Sequence, residues 1–241
     1  MAGHDGPAIS EKIFKEAPMK LILDTADLSA IKTCYDYYPV SGVTTNPAIL
    51  ARAGRDFREV LTDIRAFIGP EADLHVQVTA ENTADMLKEA DSILSKFGEN
   101  TFIKVPVTRE GIRAIKALVY QEANVTATTV YTLSQAYLAA EAGATYVAPY
   151  VNRIDNLGED GVQLVCKMQD MLETNGYETE VLAASFKNVR QVMDLAAYGI
   201  GAGTVAPDIL EAFLTNANAD AAVKEFNGAF HKAFGEKASL L

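Results

Sequence analysis

Residues 101–120 read T-F-I-K-V-P-V-T-R-E-G-I-R-A-I-K-A-L-V-Y. The first half is a short run with β-strand composition. The second half, from Arg109, places Ile112, Ile115, Lys116 and Val119 at helical spacing with charges opposite. One strand passes directly into one helix, and the same unit recurs along the chain. Further β-rich runs fall at 20–25, 42–46, 74–79, 123–129, 144–150, 180–185 and 198–205, which makes eight with 101–106. Helical stretches such as 26–38 and 82–97 stand between them. Alternating β and α implies a parallel sheet covered by helices, and eight units in about 220 residues is the size of a (β/α)8 TIM barrel. A doubly wound open sheet is the competing arrangement, but it usually shows a glycine fingerprint after its first strand. Here that strand ends D-T-A-D (24–27), and the one glycine cluster, G-I-G-A-G (199–203), lies at the eighth strand, where tight packing explains it. The expected architecture is a single-domain α/β barrel over 19–241, ending in a C-terminal helix. Residues 1–18 form an N-terminal extension, expected to be a flexible or surface-docked arm.

The same run contains Lys104 inside an apolar strand. Burying a cationic amine costs free energy unless it is paired or loses its proton, so a lysine facing inward calls for a function. In a barrel, chemistry gathers at the C-terminal ends of the strands. Those ends carry Asp24, then Thr44, Thr45 and Asn46, then Gln77, Lys104, Thr126 and Thr128, Tyr150 with Arg153 just beyond, and Ser185 with Lys187. Singly, each has an ordinary reading. Asp24 and Ser185 can cap helices, Asn46-Pro47 is a common turn, and a lone lysine more often snorkels than reacts. Gln77 and the threonines can fill a barrel, Tyr150 can be a rim aromatic, and Arg153 and Lys187 can be solvated loop charges. Together they form a set, because the fold aims all of them at one mouth. A desolvated lysine has the lone pair an imine-forming nucleophile needs. Gln77, Thr128, Tyr150 and Asp24 suit proton movement and sugar hydroxyls, and Arg153, Ser185 and Lys187 resemble a phosphate clamp. The residues thus suggest a Schiff-base enzyme acting on a phosphorylated carbonyl compound.

Composition narrows the alternatives. The 241 residues are 49% hydrophobic and 22% charged, with a formal net charge of −11. That charge argues against nucleic acid as a partner. No apolar stretch approaches the roughly 20 residues of a membrane span, and the first residues lack the basic start and apolar block of a secretory signal. Two cysteines and three scattered histidines give no disulfide framework or metal pattern, which fits a reducing cytoplasm.

Four motifs carry a resemblance: G-V-T-T-N-P (42–47), F-I-K-V-P-V-T (102–108), Y-V-A-P-Y-V-N-R-I-D (146–155) and L-A-A-S-F-K (182–187). In order and spacing, from about Met19 to about Gly235, the chain resembles the transaldolase family, and within it the short bacterial branch that contains fructose-6-phosphate aldolase. The resemblance implies a class I aldolase with no metal and no organic cofactor. It makes Lys104 the Schiff-base residue, Asp24 the proton shuttle and Asn46 a ligand of the sugar. Gln77, Thr128 and Tyr150 hold the water that protonates the enamine, with Tyr150 the proton donor. Thr44 and Ala148 join the substrate-binding set, and a serine at Ala148 would alter donor preference. Arg153, Ser185 and Lys187 hold the phosphate. True transaldolases generally carry glutamate at the position of Gln77 and phenylalanine at that of Tyr150, so both residues favour the aldolase. Transaldolase activity is the alternative, and a non-catalytic sugar-phosphate binder a remote one. The resemblance also implies a homodecamer of two stacked pentamers. The tail, with Val223, Phe226, Phe230 and Phe234 at helical spacing, could then pack on a neighbour or on its own barrel.

Overall fold

A computed structural model describes residues 18–241. The expected extension 1–18 therefore lies, apart from Pro18, outside the described residues. The strands are β1 (Lys20–Asp24), β2 (Gly42–Thr44), β3 (Asp73–Gln77), β4 (Thr101–Pro106), β5 (Val125–Val130), β6 (Tyr146–Pro149), β7 (Glu180–Ala183) and β8 (Ala202–Val205). They form one closed parallel barrel in sequence order, with β1 hydrogen-bonded to both β2 and β8. Helices α1 (Leu28–Tyr37), α4 (Thr83–Phe97), α5 (Arg109–Tyr120), α6 (Leu133–Glu141) and α9 (Val189–Tyr198) each return the chain after one strand. Two helices fill the other connections: α2 (Pro47–Arg52) with α3 (Phe57–Ile68) after β2, and α7 (Val151–Asp155) with α8 (Gly161–Asn175) after β6. After β8 come α10 (Pro207–Glu211) and α11 (Ala217–Phe234).

The hydrophobic interior has two compartments. The larger, including Ile103, Val105, Ala114, Ile115 and Leu118, lies between the sheet and the helices. The smaller fills the barrel itself with Ile22, Phe102, Tyr146, Ala148, Leu182 and Ala202. Successive strand residues point to opposite faces. On β4, Ile103 and Val105 belong to the outer compartment and Phe102 to the inner one, so Lys104 shares the inward face with Phe102. The parity of one strand thus puts the lysine inside.

Helix α5 docks directly behind that strand. Its buried stripe is Gly111, Ala114, Ile115 and Leu118, with Ile112 and Val119 half-buried and Lys116 exposed. The stripe is rotated from the expected Ile112–Ile115–Lys116–Val119 set, because small residues allow the closest approach to the sheet. A Cβ on Gly111 would lie 1.9 Å from the carbonyl oxygen of Pro106. The glycine cluster also differs from expectation. Gly199 adopts a left-handed backbone (φ +97°) and caps the C-terminus of α9, and a Cβ on Gly203 would meet neighbours only at 3.6 Å. Helix termination rather than strand packing accounts for Gly199, and it shortens the expected eighth strand to Ala202–Val205.

Candidate active site

Lys104 is 5% exposed. Its Nζ donates a 2.8 Å hydrogen bond to the carbonyl of Thr45, which leaves an uncharged amine its lone pair. Burial lowers its pKa, and the attraction of Asp24 offsets only part of that effect. Its register partners are Gln77 on β3 and Thr126 on β5. The Gln77 amide is half-buried and makes no hydrogen bond among the described residues.

Asp24 is held by a chain of hydroxyls. Thr44 donates to its Oδ1 at 2.7 Å, and Thr204 lies 2.6 Å from the Thr44 hydroxyl. Thr44 has one hydroxyl hydrogen and gives it to the carboxylate, so Thr204 is the donor of the second bond. Asn46 caps α2 through Oδ1, which accepts from the Ile49 N–H at 2.9 Å, leaving its amide nitrogen without a protein partner among the described residues.

On the opposite wall Thr128 and Tyr150 share a 2.9 Å hydrogen bond between their hydroxyls. Tyr150 follows β6, bridges to Ala184 and opens α7. Burial raises its pKa, while the Thr128 hydrogen bond and the Arg153 cation pull it down. The Arg153 guanidinium lies 4.7 Å from the centre of the Tyr150 ring, and its Nη1 donates to the Tyr131 hydroxyl at 3.3 Å. Helix α7 after β6 meets the loop after β7 where the Asn152 N–H donates to the Ser185 carbonyl at 3.1 Å. Ser185 itself sits in the left-handed region (φ +63°). Lys187 is exposed, and its backbone N–H is fixed by Gln191 Oε1 at 2.8 Å. Ala148 is buried inside the barrel.

Three groups at this site carry no motif that marked them in the sequence. Thr204 supports Thr44 from β8. Tyr131 touches both Tyr150 and Arg153. His75 is fully buried on β3, stacks on Phe102 with ring centres 4.4 Å apart and places Nδ1 2.9 Å from the Thr126 hydroxyl. The only signal for His75 and Thr204 was inward parity, two residues from Gln77 and one from the end of β8.

A profile of the family described as transaldolase/fructose-6-phosphate aldolase matches residues 21–239. A probable fructose-6-phosphate aldolase of Streptococcus pneumoniae is 40% identical over 210 residues, covering 87% of this chain and 95% of that protein. A probable transaldolase of Alkaliphilus metalliredigens is 36% identical over 208 residues, covering 86% and 96%. Among solved structures, one described as native KDPGal superposes with a TM-score of 0.56 at 17% identity, over 79% of this chain and 84% of that one. That last likeness shows the barrel fold alone. With a buried strand lysine at the mouth of an eight-stranded barrel and relatives matched over nearly their whole length, the chain belongs to the transaldolase/fructose-6-phosphate aldolase family.

Proposed function

We propose that the protein is a Schiff-base aldolase that cleaves fructose 6-phosphate to dihydroxyacetone and glyceraldehyde 3-phosphate and catalyses the reverse addition. The observation that carries this reading is the pairing of a buried, charge-averse Lys104 with a phenol, Tyr150, hydrogen-bonded at the same mouth. The neutral amine adds to the ketone carbon, and loss of water gives a cationic imine. Asp24, held by Thr44, takes the proton from the substrate hydroxyl. The carbon–carbon bond then breaks, with its electron pair drawn into the imine. The aldehyde leaves, and an enamine remains on Lys104. Tyr150 donates the proton that quenches the enamine, through water ordered by Gln77 and Thr128, and water then hydrolyses the imine. Asn46 and Ala148 shape the sugar subsite, while Arg153, Ser185 and Lys187 hold the phosphate.

A transaldolase shares the steps up to the enamine, and the names of several relatives favour it. The distinction lies in whether the enamine is protonated in place or waits for an aldose. Steady release of glyceraldehyde 3-phosphate from fructose 6-phosphate alone supports the aldolase. Release only with added erythrose 4-phosphate supports the transaldolase. Borohydride with dihydroxyacetone should add a mass to the native chain that is lost in Lys104→Met, and failure to form it would leave only a sugar-phosphate binder.

Helix α11 buries none of its residues, and Val223, Phe226 and Phe234 are 57%, 68% and 71% exposed. That unpartnered apolar face supports a homodecamer built with α11 against a neighbouring copy, to be checked by light scattering of the full chain and of a chain ending before Asn216. No helix among the described residues is long and apolar enough to cross a membrane. The low cysteine content agrees with a cytoplasmic setting.

A further inference from the structure

Strand β5 does not keep its alternation to the end. Thr126 and Thr128 both point inward, to His75 and Tyr150 respectively. Thr129 then adopts a left-handed backbone (φ +58°), and the register with β6 slips between Ala127 and Val130. Val130 is fully buried in the outer compartment. One residue has been inserted, so inward parity resumes at Tyr131 instead of Val130. A β-branched residue in this region is a costly outlier, and its consequence here is local: a second tyrosine is delivered to the mouth.

Tyr131 is anchored there. Its backbone N–H donates to Gln135 Oε1 at 2.8 Å, and Gln135 belongs to the capping box that opens α6. Its ring meets that of Tyr150 edge-on, with centres 5.6 Å apart. Its hydroxyl accepts the hydrogen bond from Arg153. Among the described residues Arg153 forms no ion pair, and these two tyrosines are its side-chain partners. A long exposed side chain would otherwise sample many rotamers. The ring and the hydroxyl hold it in one.

We propose that Tyr131 is a positioning residue, fixing the Arg153 guanidinium over the face of Tyr150 so that one cation serves both the substrate's phosphate and the phenol that donates the proton. This rests on the aldolase reading above. The remaining N–H groups of Arg153 stay available to an anion, while Nη1 keeps its place on Tyr131. The groups that bear on Tyr150 are Thr128 from β5, Arg153 on its own helix, Tyr131 and, from β1, Asp24. Of these Arg153 is the cation, so releasing it from the ring weakens the pull on the phenol's proton.

The test is Tyr131→Phe, which keeps the ring and removes the acceptor. In the synthesis direction, KM for glyceraldehyde 3-phosphate should rise about three- to ten-fold, the worth of one ordinary, partly exposed hydrogen bond. KM for unphosphorylated glyceraldehyde should stay within about two-fold, since it never uses the clamp. The titration of Tyr150, followed by NMR of ring-labelled tyrosine and assigned with Tyr150→Phe, should move upward in pH. Arg153→Leu should move it the same way, and the double variant Tyr131→Phe/Arg153→Leu should be no worse than Arg153→Leu alone. Equal changes for both aldehydes, an unmoved Tyr150 titration, or additive losses in the double variant would each overturn the proposal. A native chain that neither cleaves fructose 6-phosphate nor forms the borohydride adduct would instead sink the aldolase reading, and the NMR arm would still report on Tyr131.

Discussion

The ε-nitrogen of Lys104 lies 2.8 Å from the carbonyl oxygen of Thr45, at the end of β2, two strands away around the barrel. The bond steers the amine across the mouth without supplying a counter-charge. At neutral pH the unfolded chain holds the lysine proton, while burial disfavours it in the native barrel, so the native state bears a cost that the proposed Schiff-base role would explain. Lys104→Met removes that cost together with the proposed nucleophile. The variant should form no borohydride adduct and be unchanged in stability or more stable by about 1–2 kcal/mol, as read by urea unfolding. A markedly destabilised Lys104→Met would show that the amine is a structural strut.

Tyr150→Phe keeps the ring and deletes the group that shares a hydrogen bond with Thr128. The adduct with dihydroxyacetone should still form, because Lys104 is untouched. Turnover of fructose 6-phosphate alone should drop by about 10²–10⁴, the usual worth of a positioned acid. Added erythrose 4-phosphate should restore much of the flux by intercepting the enamine. Unchanged turnover without acceptor would assign the proton to another donor.

Gly111→Ala should destabilise the barrel by about 2–4 kcal/mol. The added methyl meets the backbone oxygen of Pro106 rather than a side chain that can move aside. Because Pro106 ends the strand that carries Lys104, activity should fall along with the urea midpoint. Native-like stability in this variant would mean that α5 can shift freely against β4.

His75 gives a pH dependence that is separable from catalysis. It is enclosed by Phe102, Tyr146 and Thr126, and burial, with Lys104 and Lys20 adding repulsion, holds its pKa well below 6.5. Below pH 6.5 the unfolded chain takes up a proton that the native barrel refuses. Native stability should therefore decline as the pH falls through that value, with the slope of one proton. His75→Phe preserves the stack on Phe102 and should flatten that part of the curve, compared by urea unfolding between about pH 7 and about pH 5. Parallel curves for the two proteins would show that the imidazole is charged inside the barrel.

The barrel was legible because its signals are local. Strand composition, helical spacing and their alternation each act over a handful of residues, and eight repeats leave few topologies. The buried amine was legible for the same reason: period two along T-F-I-K-V-P assigns Lys104 and Phe102 to one face. Asp24, Gln77 and Tyr150 followed as residues at or next to the strand ends, with Arg153 just beyond, on α7. Helix α5 was located correctly while its buried stripe was not, because the contact is made through Gly111 and Ala114, which hydrophobicity alone does not mark.

Taken by itself, the chain determined which faces are apolar, where strands give way to helices, and which polar types stand at the strand ends, since each follows from neighbours in sequence. Only closure of the ring decided that Thr204 would meet Thr44, 160 residues away, and that His75 would meet Thr126, 51 residues away. The left-handed turn at Thr129, which sends Tyr131 to Arg153, is likewise a tertiary choice. Threonine has no intrinsic preference for that backbone, so the packing of β5 between its neighbours must impose it.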